Sequence, residues 1–229
     1  VKILDGIERF LEAKRTGVLI SACDPGAPGG VGARAPRHDA PETVLGARPT
    51  LAANAIGELC ATTLFEHGTT AVRAVQRREV TDALERIVEA NTLLSGIGFE
   101  SGGLAVAHSV AQGLTVIPAV TRHYLHGEMV AMGLLTQLVF ESCEEEAKRV
   151  AEFFASVGLP IHLGQLSLGA DDSRQLRNAM ETALTVPFVG NEPLPVTVNG
   201  LLAASRQADA LGRQVAQTTG EAAYRVLHG

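Results

Sequence analysis

Thr81-Asp-Ala-Leu-Glu-Arg-Ile-Val-Glu-Ala-Asn-Thr-Leu-Leu94 runs without a break into Ser95-Gly-Ile-Gly-Phe-Glu-Ser-Gly-Gly103. The first part reads as a helix through Leu94. Thr81 offers a side-chain oxygen to the orphan N–H groups of a first turn, and Asp82 puts a negative charge at the positive end of the helix dipole. Residues 95–103 read as its stop, leading into another helix at about 104–113. Gly96-Ile-Gly98-Phe-Glu-Ser101 falls one residue short of the GxGxxG dinucleotide fingerprint, which must follow a strand and open a helix within a βαβ unit. A helix precedes it here. The small residues are therefore read as a tight helix–helix connection that lets backbones approach closely.

The helical period extends in both directions. Ile3, Ile7, Phe10 and Leu11 recur at i, i+4, i+7 and i+8, which predicts an amphipathic helix over 2–15. Residues 24–49 hold five prolines and the cluster Gly26, Gly29, Gly30 and Gly32, and read as a long exposed loop. A helix is expected at about 50–67, with Leu51, Ile56, Leu59 and Leu64 inward and Gly68 past its end. An apolar helix spans 129–140. Ser142 with Glu145 reads as a capping box for the next helix, whose Val150, Phe153, Phe154 and Val157 share one face before Gly158 and Pro160. From 172 to 228 helical segments alternate with a turn near Pro187–Pro195. Only Val116-Ile117 and Pro195-Val-Thr-Val resemble strands. The expected fold class is all-α, a helical bundle without internal repeats.

Composition excludes several function classes. The chain has 229 residues, 46% of them hydrophobic, with a net charge of −6, which excludes disorder over most of its length. Lys and Arg cluster no further than pairs such as Arg77-Arg78, so no nucleic-acid partner is expected. No stretch approaches the ~20 apolar residues of a membrane span. Cys23, Cys60 and Cys143 form no close pair, and an odd count fits a reducing, cytoplasmic setting. The first residues, Val1-Lys-Ile-Leu-Asp-Gly6, show no secretory leader pattern.

No P-loop, HExxH or GxSxG occurs. Two histidines stand in suggestive contexts. His108 lies four residues into the helix after the glycine-rich turn, among small apolar neighbours. His126 lies in Arg122-His-Tyr-Leu-His126-Gly-Glu128, just before the apolar helix. Imidazoles on rigid elements with a carboxylate nearby are what a metal site needs. Each also reads as a hydrogen-bonded core or surface histidine, and a spacing of 18 decides nothing unless the fold joins them. Asp5 alone reads as an exposed carboxylate pairing with Arg9 at i+4.

The block Ala83-Leu-Glu-Arg-Ile-Val-Glu-Ala-Asn-Thr-Leu-Leu-Ser-Gly-Ile-Gly-Phe-Glu-Ser-Gly-Gly-Leu-Ala-Val-Ala-His108 resembles the signature segment of glycerol dehydrogenases, within the iron-containing (group III) alcohol dehydrogenase superfamily. The likeness continues through Gly113-Leu-Thr, His126-Gly-Glu-Met-Val-Ala, Gly158-Leu-Pro, Pro195-Val-Thr and Ala208-Asp-Ala-Leu-Gly212. At the front, Asp5-Gly-Ile-Glu-Arg-Phe-Leu-Glu-Ala-Lys resembles the family helix that opens with a metal-binding aspartate. The resemblance implies a divalent ion, Zn²⁺ or Fe²⁺, held by Asp5, His108 and His126. Three protein ligands leave a position open for catalysis. Such an ion would act as Lewis acid on a hydroxyl or carbonyl of a small-molecule substrate. The catalytic candidates beside it are His123, as proton relay, and Glu128, as partner of the ligand turn.

The resemblance also sets expectations about domains. Family members carry an N-terminal NAD(P)-binding domain. This chain begins about four residues before the metal aspartate, so it reads as a single helical metal-binding domain, 1–229, without that domain. NAD is then not expected to bind this chain alone. Apolar surface left by a missing neighbour calls for cover, so a homo-oligomer or a separate nucleotide-binding chain is expected. Three functions follow: a non-redox metalloenzyme such as a lyase, isomerase or cyclase, which is the leading expectation; an NAD-dependent glycerol or polyol dehydrogenase whose cofactor domain lies on another chain or is truncated; and a non-catalytic scaffold subunit.

Overall fold

A computed structural model describes Thr43, residues 46–169, 172–192 and 194–228. The expected helix at 2–15, Asp5, Cys23 and most of the loop 24–49 lie outside the described residues. Every regular element among the described residues is helical, as expected. The chain divides into two compact units at Leu104/Ala105.

In the first unit, α1 runs from Leu51 to Arg77, opened by Thr50, whose side chain accepts from the Ala53 N–H at 3.0 Å. The expected stop at Gly68 does not occur. Gly68 is buried within a stripe of Ala53, Cys60, Ala61, Leu64, Ala71 and Ala74. Burial of that stripe outweighs the ~1 kcal/mol a glycine costs inside a helix. The stripe also shifts the inward face. Leu64 is buried as expected, whereas Leu51 and Leu59 are exposed. Helix α2 (Asp82–Glu89) begins as the sequence predicts, with the Thr81 hydroxyl accepting from the Leu84 N–H.

The glycine-rich run corrects a second expectation. It does not stop the helix. A π-helical turn at Ala90–Leu94, in which the Ser95 N–H reaches the Ala90 carbonyl, carries the chain directly into α3 (Ser95–Gly102). The stop falls at Gly103, whose φ of 90° suits glycine. Helix α1 packs against α2, the π turn and α3.

The second unit contains α4 (Val106–Leu114), α5 (Pro118–His123), α6 (His126–Phe140), α7 (Glu144–Val157), α8 (Ser173–Ala183), α9 (Val198–Thr219) and α10 (Ala222–His228). Helix α6 is buried on all sides from Gly127 to Val139, in keeping with its near-continuous apolar sequence. Around it, α4 packs on α6 and α8, α9 on α6, α7 and α8, and α10 on α7. The predicted capping box of Ser142 and Glu145 does not form. Ser142 is left-handed at φ 60°, and α7 opens at Glu144 with three glutamates in its first turn, where the helix dipole favours them. Gly158, at φ 82°, ends α7 where expected.

Candidate metal centre

The second unit brings His108 and His126 together. Their ring centroids lie 5.9 Å apart with the planes inclined at 47°. His108 projects from α4 and is buried. His126 is the first residue of α6 and is exposed.

Two contacts between α4 and α6 produce this proximity. At Gly133 a β-carbon would meet the Ala107 carbonyl oxygen at 2.1 Å, so only glycine allows the helices to come this close. One turn further along α6, the buried Gln137 Oε1 accepts from the Ala107 N–H at 2.7 Å. That N–H belongs to the first turn of α4 and has no intrahelical acceptor, so Gln137 supplies one. The residue next to both contacts is His108.

The His126 end is fixed by its own turn. Leu125 is extended at the N-cap of α6, and its N–H donates to Glu128 Oε2 at 2.7 Å. Leucine has no side-chain oxygen to return the bond, so this is one half of a capping box. Glu128 is buried, and its Oε1 is hydrogen-bonded to His228 Nε2. Both of its oxygens are thus engaged, one of them in the turn that carries His126, so it is not a solvated carboxylate. His123 is exposed in the last turn of α5.

Partial burial of its ring, and then the charge on His108, hold the His126 imidazole below the ordinary histidine value. A metal takes imidazole in its neutral form, so that direction suits a ligand. The residues fit the implied ion as far as they are described. Two imidazoles sharing one ion, each with a metal–nitrogen bond of about 2 Å, place their centroids roughly 5–6 Å apart. Among the described residues no third histidine, cysteine, aspartate or glutamate completes a cluster, and Asp5 lies outside them.

Sequence reasoning missed three residues of this neighbourhood. Gln137 is a lone amide in an apolar helix, a signal that could have been used. Gly133 sits mid-helix, where a glycine without a local purpose points to close packing. His228 lies 100 residues from its partner and had no local signal.

No family model matches the chain. It is 46% identical over 187 residues to a glycerol dehydrogenase of Escherichia coli O6:H1, covering 81% of this chain and 51% of that one. The glycerol dehydrogenase of Schizosaccharomyces pombe superposes with a TM-score of 0.81 at 27% identity, over 93% of this chain and 53% of that one. Over that half the chain is similar in sequence to proteins named glycerol dehydrogenase and shares the fold of a solved one. A glycolaldehyde reductase of Halobacterium salinarum is 42% identical over 173 residues, covering 75% of this chain and 47% of that one. The chain thus spans about half the length of the curated relatives it matches. No described helix is long and apolar enough to cross a membrane.

Proposed function

We propose that this chain supplies the metal-binding part of an NAD-dependent glycerol or polyol dehydrogenase, with the nicotinamide brought by protein outside these helices. The observation that carries the reading is the convergence of His108 and His126 in a chain whose relatives are named glycerol dehydrogenase and glycolaldehyde reductase. Those relatives are named for oxidoreductase activities. They lend nothing to the leading sequence expectation of a non-redox metalloenzyme and favour the dehydrogenase alternative.

In this reading His108, His126 and Asp5 hold one Zn²⁺ or Fe²⁺. The ion supplies Lewis acidity toward a substrate hydroxyl, lowering its pKa. His108, held by the α4–α6 contact, presents its ring from a buried and rigid position. His126, exposed at the start of α6, supplies a second neutral donor. Glu128 orients the turn that carries His126, and His123 is the proposed relay for the hydroxyl proton to solvent. NAD is not expected to bind this chain alone. A homo-oligomer is proposed with it, supported by Leu51, exposed at 88%, and by Leu59 and Leu93.

The test couples metal analysis to nicotinamide reduction. Purified chain should carry one Zn or Fe per chain, lost in His108→Ala and His126→Ala. Glycerol-dependent NAD⁺ reduction should appear once the nucleotide-binding half of a relative is added. A metal-loaded chain that converts a hydroxyl or carbonyl substrate with no nicotinamide turnover would overturn the redox reading.

A further inference from the structure

The last described helix, α10, ends on the turn that carries His126. His228 Nε2 is hydrogen-bonded to Glu128 Oε1, while Glu128 Oε2 accepts from the Leu125 N–H at the N-cap directly before His126. One buried carboxylate thus links the end of α10 to the beginning of α6.

His228 is itself held from three sides. Its Nδ1 lies 3.0 Å from the Tyr224 carbonyl oxygen. Its ring stacks on Tyr224, centroids 4.1 Å apart and planes inclined by 14°. The Tyr224 hydroxyl in turn donates to the Gln165 carbonyl. At the start of the helix, Glu221 Oε1 meets His162 Nε2 at 2.9 Å and accepts from Gln165 Nε2 at 3.1 Å. The helix is thereby tied to residues 162–165 at one end and to Glu128 at the other.

This placement has a mechanical consequence. A carboxylate fixed through one oxygen can still swing about that bond; fixed through both, its plane is set. With its plane set, Glu128 holds the Leu125 N–H, and with it the first turn of α6, in one orientation. We infer that α10 is a positioning element for the metal centre: His228, acting through Glu128, fixes the first turn of α6 and so the direction of the His126 ring. The inference rests on the reading that His108 and His126 hold a divalent ion. His228 is a positioning residue that touches neither ion nor substrate. Partners of this kind typically change metal affinity by about 10–100-fold when removed.

The test uses the full chain with Co²⁺ as the probe, read by its dissociation constant and its d–d absorption. His228→Ala is expected to weaken Co²⁺ binding by about tenfold or more and to alter the absorption band. His228→Gln, which keeps a donor toward Glu128, should restore most of both. His228→Phe keeps the stack on Tyr224 without the hydrogen bond, and should behave as His228→Ala even if the alanine variant fails to fold. Tyr224→Phe removes the Gln165 contact but not the Glu128 link. It should lower Tm and leave Co²⁺ affinity unchanged. Wild-type affinity and spectrum in His228→Ala or His228→Phe would overturn the inference, as would equal weakening in Tyr224→Phe. A wild-type chain that takes up no Co²⁺ would overturn the metal reading and this inference together.

Discussion

Gly133 of α6 lies so close to Ala107 of α4 that a β-carbon at position 133 would sit 2.1 Å from the Ala107 carbonyl oxygen. Gly133→Ala is therefore expected to push α4 away from α6 and to destabilise the protein by about 2–3 kcal/mol. The displaced helix carries His108, so metal affinity should fall with stability. Denaturant titration and metal competition on the same variant check both effects. A Gly133→Ala protein of wild-type stability would show that the helices have room to spare.

Gln137 is fully buried, and its carbonyl oxygen takes the Ala107 N–H. Gln137→Leu fills similar volume and leaves that N–H without an acceptor. A cost of about 1–3 kcal/mol is expected, seen as a lower denaturant midpoint at unchanged slope. Faster hydrogen exchange at Ala107 would locate the loss at the start of α4.

Glu221 sets a pH dependence. A hydrogen bond to His162, aided by Arg225, holds its carboxyl below the ordinary glutamate value of 4.5. A carboxyl whose folded value is depressed stabilises the fold above its unfolded value. That contribution disappears as the pH falls through the folded value. Glu221→Gln should therefore be less stable than the wild type at pH 6, with the gap closing as pH drops below about 4.5. Urea unfolding at a series of pH values measures it, and a gap independent of pH would remove Glu221 as the cause.

Cys60 is fully buried in α1, its Sγ 3.4 Å from the Ala90 carbonyl oxygen, and burial pushes its thiol up to about 12. Thiolate is the reactive form, so iodoacetamide at pH 8 should leave Cys60 unmodified in the folded chain and label it in urea. Mass spectrometry of tryptic peptides reads this directly. Rapid labelling under native conditions would mean that α1 opens on the timescale of the reaction.

Much of the helical plan was legible, because caps and periods act locally. Thr81 caps where its hydroxyl can reach Leu84, and Gly158 ends α7 in the left-handed conformation it was expected to take. At Gly68 the misreading has a clear cause: a glycine carries a local penalty of about a kcal/mol, and packing of the buried stripe around it overrides a penalty of that size. The histidine pair was legible as residue types only. Nothing in an 18-residue spacing states that His108 and His126 meet; that depends on a glycine 25 residues beyond His108 and on an amide four further on. The tie between Glu128 and His228 depends on topology alone.

The π turn at Ala90–Leu94 makes the helical run from Asp82 to Gly102 longer by one residue than a uniform α-helix with the same two ends would be. Such a run has an unusual tolerance for loss. Deleting Thr92, which is exposed and whose hydroxyl bonds back to the Val88 carbonyl, would let the π turn close into an ordinary turn and keep the downstream face in register. A deletion elsewhere in the same run would instead rotate everything after it by about 100°. Among related chains, length changes in this run should therefore collect at this turn.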